Sequence, residues 1–140
     1  MASTKSFTSQ LVILFLIAIT LGKKFNNLKL PKLESYVSYL NKLPRAISKM
    51  LELENQIVTV AQAIKNSNSV IFLGRGYLYP LALEGALKLK ELSYIHAEGF
   101  AAGEMKHGPI ALIEDELPVT MFLIAAVSYT HLTLPTILLV

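Results

Sequence analysis

The sequence of 140 residues contains no cysteine. This absence excludes a disulfide-stabilised scaffold and any metal site built on thiolates, and it fits a cytosolic protein. Charged residues are also sparse, at 16% against 53% hydrophobic residues, which favours a packed globular protein over a disordered chain. Size and composition therefore predict one small, packed globular domain.

Acidic residues are nearly missing from the first part of the chain. Residues 1–50 carry eight Lys and Arg side chains against a single acid, Glu34, whereas residues 51–140 carry five against nine acids. The basic residues are scattered among Leu, Tyr and Asn and do not alternate with aromatic residues. This pattern favours a solvated helix face and predicts no nucleic-acid binding.

An apolar run, Leu11–Ile19, follows Lys5 and imitates a signal peptide. The run is shorter than the roughly 20 residues that span a bilayer. No A-x-A-like cleavage site lies between it and Lys23 and Lys24. A helix that is apolar on nearly all sides over this run is predicted to be buried between layers. A secreted or membrane-anchored protein remains an alternative that rests on this run alone.

Helix and strand signals alternate along the rest of the chain. Apolar spacing, caps and turn residues predict the elements in order. These are a helix from Ser3 or Thr4 to Leu21 stopped by Gly22, a helix from Pro31 that Pro44 kinks or splits, a helix over Glu54–Lys65, a strand over Ser69–Leu73, a helix from Pro80 to Ile95, a loop or short helix over Glu98–Lys106, and a strand over Leu117–Ala125. This order predicts an α/β fold with a parallel sheet.

A glycine turn, Gly74–Gly76, joins the first predicted strand to the long helix after it. A strand, a G-x-G turn and a helix can hold an anion at the helix N-terminus. The turn lacks the G-x-G-x-x-G pattern and the Walker lysine, so we predict a structural role for it.

Three charged residues, Glu84, Lys88 and Glu91, are spaced to stack on one face of that helix. Such a ladder is often a solvent-exposed row of ion pairs. Small and apolar neighbours instead favour a helix packed on most of its sides with the charges in a cleft; these are Ala82, Leu83, Ala86, Leu87 and Leu89.

The residue types of this region permit an aldose–ketose isomerisation. That reaction needs a carboxylate to move a proton between C1 and C2, a cation near oxygen, and an imidazole that can open the sugar ring. Glu91, Lys88 and His107 supply these types, with His107 in a Lys-His-Gly-Pro segment. The other nearby imidazole, His96, is predicted to be structural.

Two stretches of sequence carry a resemblance to a known family. GRGYLYPLALEGALKLKELSYIHAEGFAAGEMKHGP, after the first strand, and ASTKSFTSQL, at the start, resemble the sugar-isomerase (SIS) half of the glucosamine-6-phosphate synthases, which are glutamine–fructose-6-phosphate aminotransferases. The resemblance covers about residues 1–125. It implies a three-layer, parallel-sheet SIS fold that is incomplete. The implied parts are the end of a first SIS subdomain (1–30), a helical linker (31–66) and the front of a second subdomain (67–126).

The resemblance also implies roles for individual residues. Glu91 carries the isomerisation proton, Lys88 lies in the active site, and His107 assists ring opening across a homodimer. Glu84 supports the same site. Ser3 contacts the sugar, and Met1 stands where the family usually has a sugar-site valine.

The implied reaction joins glutamine-derived ammonia to fructose 6-phosphate and yields glucosamine 6-phosphate. The family carries this out in the cytoplasm as a step of amino-sugar biosynthesis towards UDP-N-acetylglucosamine. It uses no metal and no organic cofactor for the isomerisation. The implied partner is therefore a sugar phosphate, with no nucleic acid and no membrane involved.

Several family features are missing from the sequence. It has no glutaminase cysteine, no S-Q-S-G-x-T phosphate loop and no C-terminal site lysine. We therefore expect an internal fragment that is inactive alone. Alternatives are a related deglycase of fructosamine phosphates and a non-catalytic sugar-phosphate binding module.

The end of the chain, residues 127–140, has a different character. The segment VSYTHLTLPT resembles a translated sequencing adapter, so we expect the native sequence to stop near Ala126. A genuine β-strand is the alternative for this segment.

Overall fold

The computed structural model describes residues 3–123 and the backbone of 137–139. The chain forms two compact units, one over Ser3–Ile57 and one that begins at Val58. The subdomain boundaries predicted from the sequence remain predictions. Within the predicted adapter segment, only a short strand over Ile137–Leu139 lies among the described residues.

The first unit contains two long helices, α1 over Thr4–Lys24 and α2 over Leu30–Leu51. The prediction that Gly22 stops the first helix was wrong. The left-handed residue that ends α1 is Asn26, with φ 55°, since Asn tolerates this conformation. The Gly22 carbonyl then accepts the N–H groups of Asn27 and Leu28 at 2.9 and 3.0 Å.

Pro44 lies inside α2, which runs unbroken through it. We predicted that Pro44 kinks or splits this helix; the split was wrong, and the kink stays a prediction. A proline removes one backbone donor, and the helix turns on either side still form. The Ser48 hydroxyl donates to the Pro44 carbonyl at 3.1 Å within the turn that follows.

The prediction that α1 is buried was also wrong for the described part of the chain. Ile19 is its one buried residue, and α1 meets α2 through an edge-on contact between Phe15 and Tyr36, 5.5 Å between ring centres. One helix packed against α1 on one side cannot cover residues that are apolar on every side. The exposed large side chains of α1 are Leu11, Ile13, Leu14, Phe15, Leu16, Ile17 and Leu21.

The full length of α1 also exceeds the apolar run seen in the sequence. With 21 residues and a mean hydropathy of 1.6, it is the one helix among the described residues long and apolar enough to cross a bilayer. Buried core helices and signal sequences share this property, so it does not decide between them.

A parallel sheet forms the second unit, in the strand order β2-β1-β3-β4. This arrangement confirms the predicted α/β fold with a parallel sheet. The helix α3 precedes the sheet and begins before Val58. The elements are α3 over Glu54–Ile64, β1 over Ser69–Gly74, α4 over Tyr79–Ser93, β2 over His96–Ala101, β3 over Val119–Phe122 and β4 over Ile137–Leu139, with short 3₁₀ helices over Gly76–Leu78, Ala102–His107 and Pro109–Leu112.

The strand β2 was not predicted, because its sequence HAEGFA has no β-branched residue. It pairs with β1 in parallel register from Ser69 and His96 to Gly74 and Ala101. A close approach of α4 explains the small residues: a Cβ at Gly99 would lie 2.8 Å from the backbone nitrogen of Leu83. Helix packing, rather than strand propensity, therefore selects this sequence.

The core lies on both faces of β1, whose Val70 and Leu73 are completely buried. On one face, Ile71 and Leu73 pack with β3 and with Ala102 and Met105 of the 3₁₀ helix over Ala102–His107. On the other face lies α4, with Ala82 and Ala86 buried. Each large aliphatic side chain buried in this way contributes about 1.5–3 kcal/mol. The packing fixes α4 on the sheet.

Candidate functional site

The carboxyl end of β1 leads into α4 through a tight turn. A Cβ at Gly74 would collide with the Leu78 carbonyl oxygen and lie 2.7 Å from the Tyr79 nitrogen, so only glycine fits there. Gly76 adopts a left-handed φ of 57°. Both glycines have backbone reasons to be present, which agrees with the structural role predicted for this turn.

Glu84, Lys88 and Glu91 form a continuous row of ion pairs on α4, as the spacing predicts. The Lys88 Nζ lies 3.2 Å from Glu84 Oε1 and 3.0 Å from Glu91 Oε2. At about 100° per residue, this row faces away from Ala82 and Ala86, which are buried against the sheet. The row therefore lies on the outer side of the helix. We call these three residues the charged ladder.

Lys88 is the electrostatic centre of the charged ladder. Its hydrogen bond to Glu91 raises its pKa, and Glu84 adds to the effect by a hydrogen bond and by charge; partial desolvation opposes both. The ammonium form is thus favoured beyond the ordinary range of a lysine. Such a lysine suits the role of a fixed cation and not that of a base or nucleophile at neutral pH.

The surroundings of the charged ladder differ from the prediction. Only Ala82 and Ala86 of α4 are buried, whereas Leu83, Leu87 and Leu92 are exposed. The helix is therefore not packed on most of its sides, because within the described residues the sheet covers one face alone. The Lys88 side chain, 19% exposed, is nonetheless partly shielded, and the Glu91 side chain is 38% exposed.

The carboxyl end of α4 contains a feature that the sequence analysis missed. Ser93 makes hydrogen bonds on both sides of the last helical turn, and Tyr94 takes a left-handed conformation with φ 61°. The signal in the sequence was a serine near the end of the predicted helix, which does not by itself specify the left-handed residue that follows.

His107 lies at the end of the 3₁₀ helix over Ala102–His107, where buried Ala102 and Met105 anchor the segment. The imidazole itself is exposed. Between residues 3 and 123, no hydrogen bond or ion pair joins it to the charged ladder. The structure thus brings two of the three predicted catalytic residues, Lys88 and Glu91, into direct contact, and His107 makes no such contact with them.

His96 occupies the first position of β2. Its Nδ1 lies 3.1 Å from the Ser69 hydroxyl, and its Nε2 lies 3.6 Å from Glu98. Ser69 is its register partner at the start of β1. The contact ties the beginnings of two neighbouring strands, in line with the predicted structural role of His96.

Ser3, one of the two sugar contacts predicted at the start of the chain, belongs to the first unit. Ser3 precedes α1 with φ 47°, and its carbonyl accepts the Phe7 N–H at 3.0 Å. Met1 lies outside the described residues. Within the described part of the chain, no cluster of three or more His, Asp or Glu residues could hold a metal ion.

Comparisons with known proteins agree with the arrangement of the sheet and α4. Residues 63–137 match the model of the SIS domain family. A glutamine–fructose-6-phosphate aminotransferase of Bradyrhizobium diazoefficiens is 53% identical over 120 residues, which are 86% of this chain and 20% of that protein. One from Bartonella quintana is 49% identical over 118 residues, 84% of this chain and 19% of that protein.

Solved structures show the same fold. The C-terminal domain of glucosamine-fructose-6-phosphate aminotransferase from Francisella tularensis superposes with a TM-score of 0.83 at 41% identity, over 85% of this chain and 33% of that one. A putative sugar binding protein from Salmonella typhimurium, 22% identical with a TM-score of 0.69 over 85% of this chain and 37% of its own, shows the likeness of fold alone.

The family match covers more than half of the chain, and it includes the whole of β1, α4 and β2. The chain spans about a fifth of the length of the curated relatives it matches. On its sequence and its fold, the chain belongs to the SIS domain family.

Proposed function

We propose that this chain supplies part of the isomerase site of a glutamine–fructose-6-phosphate aminotransferase. The observation that carries the proposal is the charged ladder on α4, with Lys88 held 3.0 Å from Glu91. It occurs within a segment about half identical to enzymes of that name. The substrate is then fructose 6-phosphate with ammonia from glutamine, and the product is glucosamine 6-phosphate.

In this proposal Glu91 moves a proton between C1 and C2 of the sugar. A carboxylate does this as a base at one carbon and then as an acid at the other, so the proton is returned. Lys88 stays cationic, because its pKa is raised by its two carboxylate neighbours. It positions the sugar or stabilises negative charge on oxygen, and Glu84 holds it in place.

We also propose that His107 opens the sugar ring in the site of a partner subunit within a homodimer. Its imidazole is exposed and, among the described residues, makes no hydrogen bond to the charged ladder of its own subunit, so it is accessible to a partner subunit. Ser3 and Met1 are proposed to contact the sugar. The step needs no metal or organic cofactor in this account.

The cellular setting belongs to the same proposal. We place the complete protein in the cytoplasm, in amino-sugar biosynthesis towards UDP-N-acetylglucosamine, with no membrane or nucleic acid as a partner. In this proposal, further protein of the complete enzyme covers the exposed apolar surface of α1.

A chimeric enzyme tests the proposed function. The 120-residue segment of the Bradyrhizobium relative that matches this chain is replaced by the corresponding residues here. We expect the chimera to form glucosamine 6-phosphate, and we expect Lys88→Met to reduce kcat by roughly 100-fold or more. Lys90→Met is the matched control, because Lys90 lies on the same helix, is exposed and is not part of the charged ladder.

The outcomes separate the candidate functions. A folded, dimeric chimera without activity contradicts the proposal. If it hydrolyses a fructosamine phosphate instead, the chain belongs to a deglycase; if it binds sugar phosphate without any turnover, it is a binding module. Equal activity of Lys88→Met and Lys90→Met would show that the charged ladder takes no part in the reaction.

A further inference from the structure

Ser93 closes the carboxyl end of α4 by two hydrogen bonds of its hydroxyl group. It donates to the Leu89 carbonyl at 2.6 Å and accepts the Ile95 N–H at 3.3 Å. The Tyr94 N–H separately donates to the Lys90 carbonyl at 3.1 Å. The bonds to the Ile95 N–H and to the Lys90 carbonyl engage groups that the helix end and the residue beyond it would otherwise leave unpaired.

Tyr94, the residue next to Ser93, is held in a strained conformation. Its φ of 61° and ψ of 7° lie in the left-handed region, which costs a residue other than glycine about 1–2 kcal/mol. The residue is 92% exposed, so packing of the ring does not offset this strain. The backbone is held instead by the hydrogen bonds of Ser93 and Lys90 on either side of it.

Glu91 lies in this same last turn, two residues before Ser93. Its carboxylate and the Lys88 ammonium are three residues apart and meet only while the backbone between them is helical. Helix ends fray, and a last turn without a cap opens more readily than the middle of a helix. The geometry of the Lys88–Glu91 pair therefore depends on how α4 ends.

We propose that Ser93 is a positioning residue for Glu91. Its hydroxyl keeps the last turn of α4 closed and directs the chain into β2, so the Glu91 carboxylate stays beside the Lys88 ammonium. The inference rests on the proposed function for the importance of Glu91 in proton transfer. The hydrogen bonds and the distances that support it are independent of that function.

A pair of substitutions in the full chain separates the hydroxyl from the shape of the side chain. Ser93→Thr keeps the hydroxyl and Ser93→Val removes it, and both add a similar branched side chain at an exposed position. With Ser93→Val we expect amide exchange at Ile95 to rise by about tenfold, for one lost hydrogen bond. We also expect the Lys88 pKa, measured by NMR, to fall towards its ordinary value of 10.5. In Ser93→Thr we expect the amide exchange rate of Ile95 and the Lys88 pKa to stay unchanged.

The matched control is Ser48→Val in α2. The Ser48 hydroxyl makes the same type of bond, to the carbonyl four residues earlier at 3.1 Å, but far along the chain from the charged ladder. We expect this variant to leave the Lys88 pKa unchanged. Any general effect of losing a helix hydroxyl on stability would appear in both valine variants, whereas the Lys88 response appears only at position 93.

Two results overturn the inference. One is a Lys88 pKa that does not change in Ser93→Val. The other is a Lys88 pKa that falls in Ser93→Thr by as much as it falls in Ser93→Val. Both readouts come from NMR of the chain without substrate, so they stand even if the proposed function fails. Conversely, an active chimera together with an unmoved Lys88 pKa would leave the proposed function intact and remove Ser93 from it.

Discussion

The Lys88 ammonium lies between two carboxylates, and this arrangement governs how the stability of the chain depends on pH. The folded-state pKa of Lys88 is raised, so its contribution is complete below the unfolded value of 10.5 and is lost as pH rises through the folded-state pKa. We predict that the difference in unfolding free energy between the chain and Lys88→Met is constant from about pH 7 to pH 10 and shrinks at higher pH.

Urea denaturation at a series of pH values measures this difference. Lys90→Met is the control, since Lys90 is exposed and outside the charged ladder. A difference that shrinks between pH 7 and pH 9 would contradict the account, because Lys88 must remain charged there.

Tyr94 offers a second prediction at the scale of a residue. Because its φ is 61° and its ring is exposed, Tyr94→Gly removes strain at little cost in packing. Glycine is also more flexible in the unfolded chain, which offsets part of this effect. We therefore expect the free energy of unfolding to rise by about 0.5–1 kcal/mol. Thermal or urea unfolding measures it. Asn26→Gly is the comparison, and it should gain less, since asparagine tolerates its φ of 55°.

The charged ladder could be predicted from the sequence, and the end of α4 could not. Glu84, Lys88 and Glu91 meet because helix periodicity alone brings them together. The conformations of Ser93 and Tyr94 depend on where β2 begins, which is a matter of tertiary packing. The exposure of His107 depends likewise on how Ala102 and Met105 pack beneath it.

At the scale of elements, the contact between α4 and β2 depends on Gly99. A Cβ there would lie 2.8 Å from the Leu83 nitrogen and 2.9 Å from the Ala82 carbonyl, and backbone atoms cannot move aside cheaply. We predict that Gly99→Ala destabilises the chain by about 1–3 kcal/mol. Gly103→Ala is the control, because a Cβ at Gly103 meets nothing within 4 Å.

Equilibrium unfolding of the two alanine variants gives the comparison directly. If Gly99→Ala lowers the free energy of unfolding by no more than Gly103→Ala does, α4 does not lie against β2 as described. The orientation of the charged ladder relative to the sheet would then differ from the one described.

Most of the elements could be predicted in their order, whereas the strand β2 and several element limits could not. Strong periodicity and the turn at Gly74 were enough for β1 and α4. The strand β2 was missed because Ala97 and Gly99 were selected by the helix above them rather than by strand propensity. The predicted stop at Gly22 and the predicted split at Pro44 were wrong for a related reason. A residue that usually ends a helix does not end it where the neighbouring backbone groups still find hydrogen-bond partners.

At the scale of the whole molecule, exposed apolar surface dominates the first unit. Leu14 and Ile17 of α1 are 62% and 49% exposed. Contiguous surface of this kind drives association in water. We predict that the purified chain self-associates and that Leu14→Lys with Ile17→Lys reduces this, as measured by light scattering at several concentrations. A chain that stays monomeric at every concentration would contradict the prediction.

The central claim is that Glu91 on α4 performs the proton transfer of an aldose–ketose isomerisation. The measurement that tests it most directly is the rate of glucosamine 6-phosphate formation by the chimeric enzyme with Glu91→Gln, against Glu114→Gln as an exposed carboxylate outside the site. The account predicts a loss of roughly 100-fold or more in kcat for Glu91→Gln, at unchanged fold and dimer content. Equal rates for the two variants would contradict it.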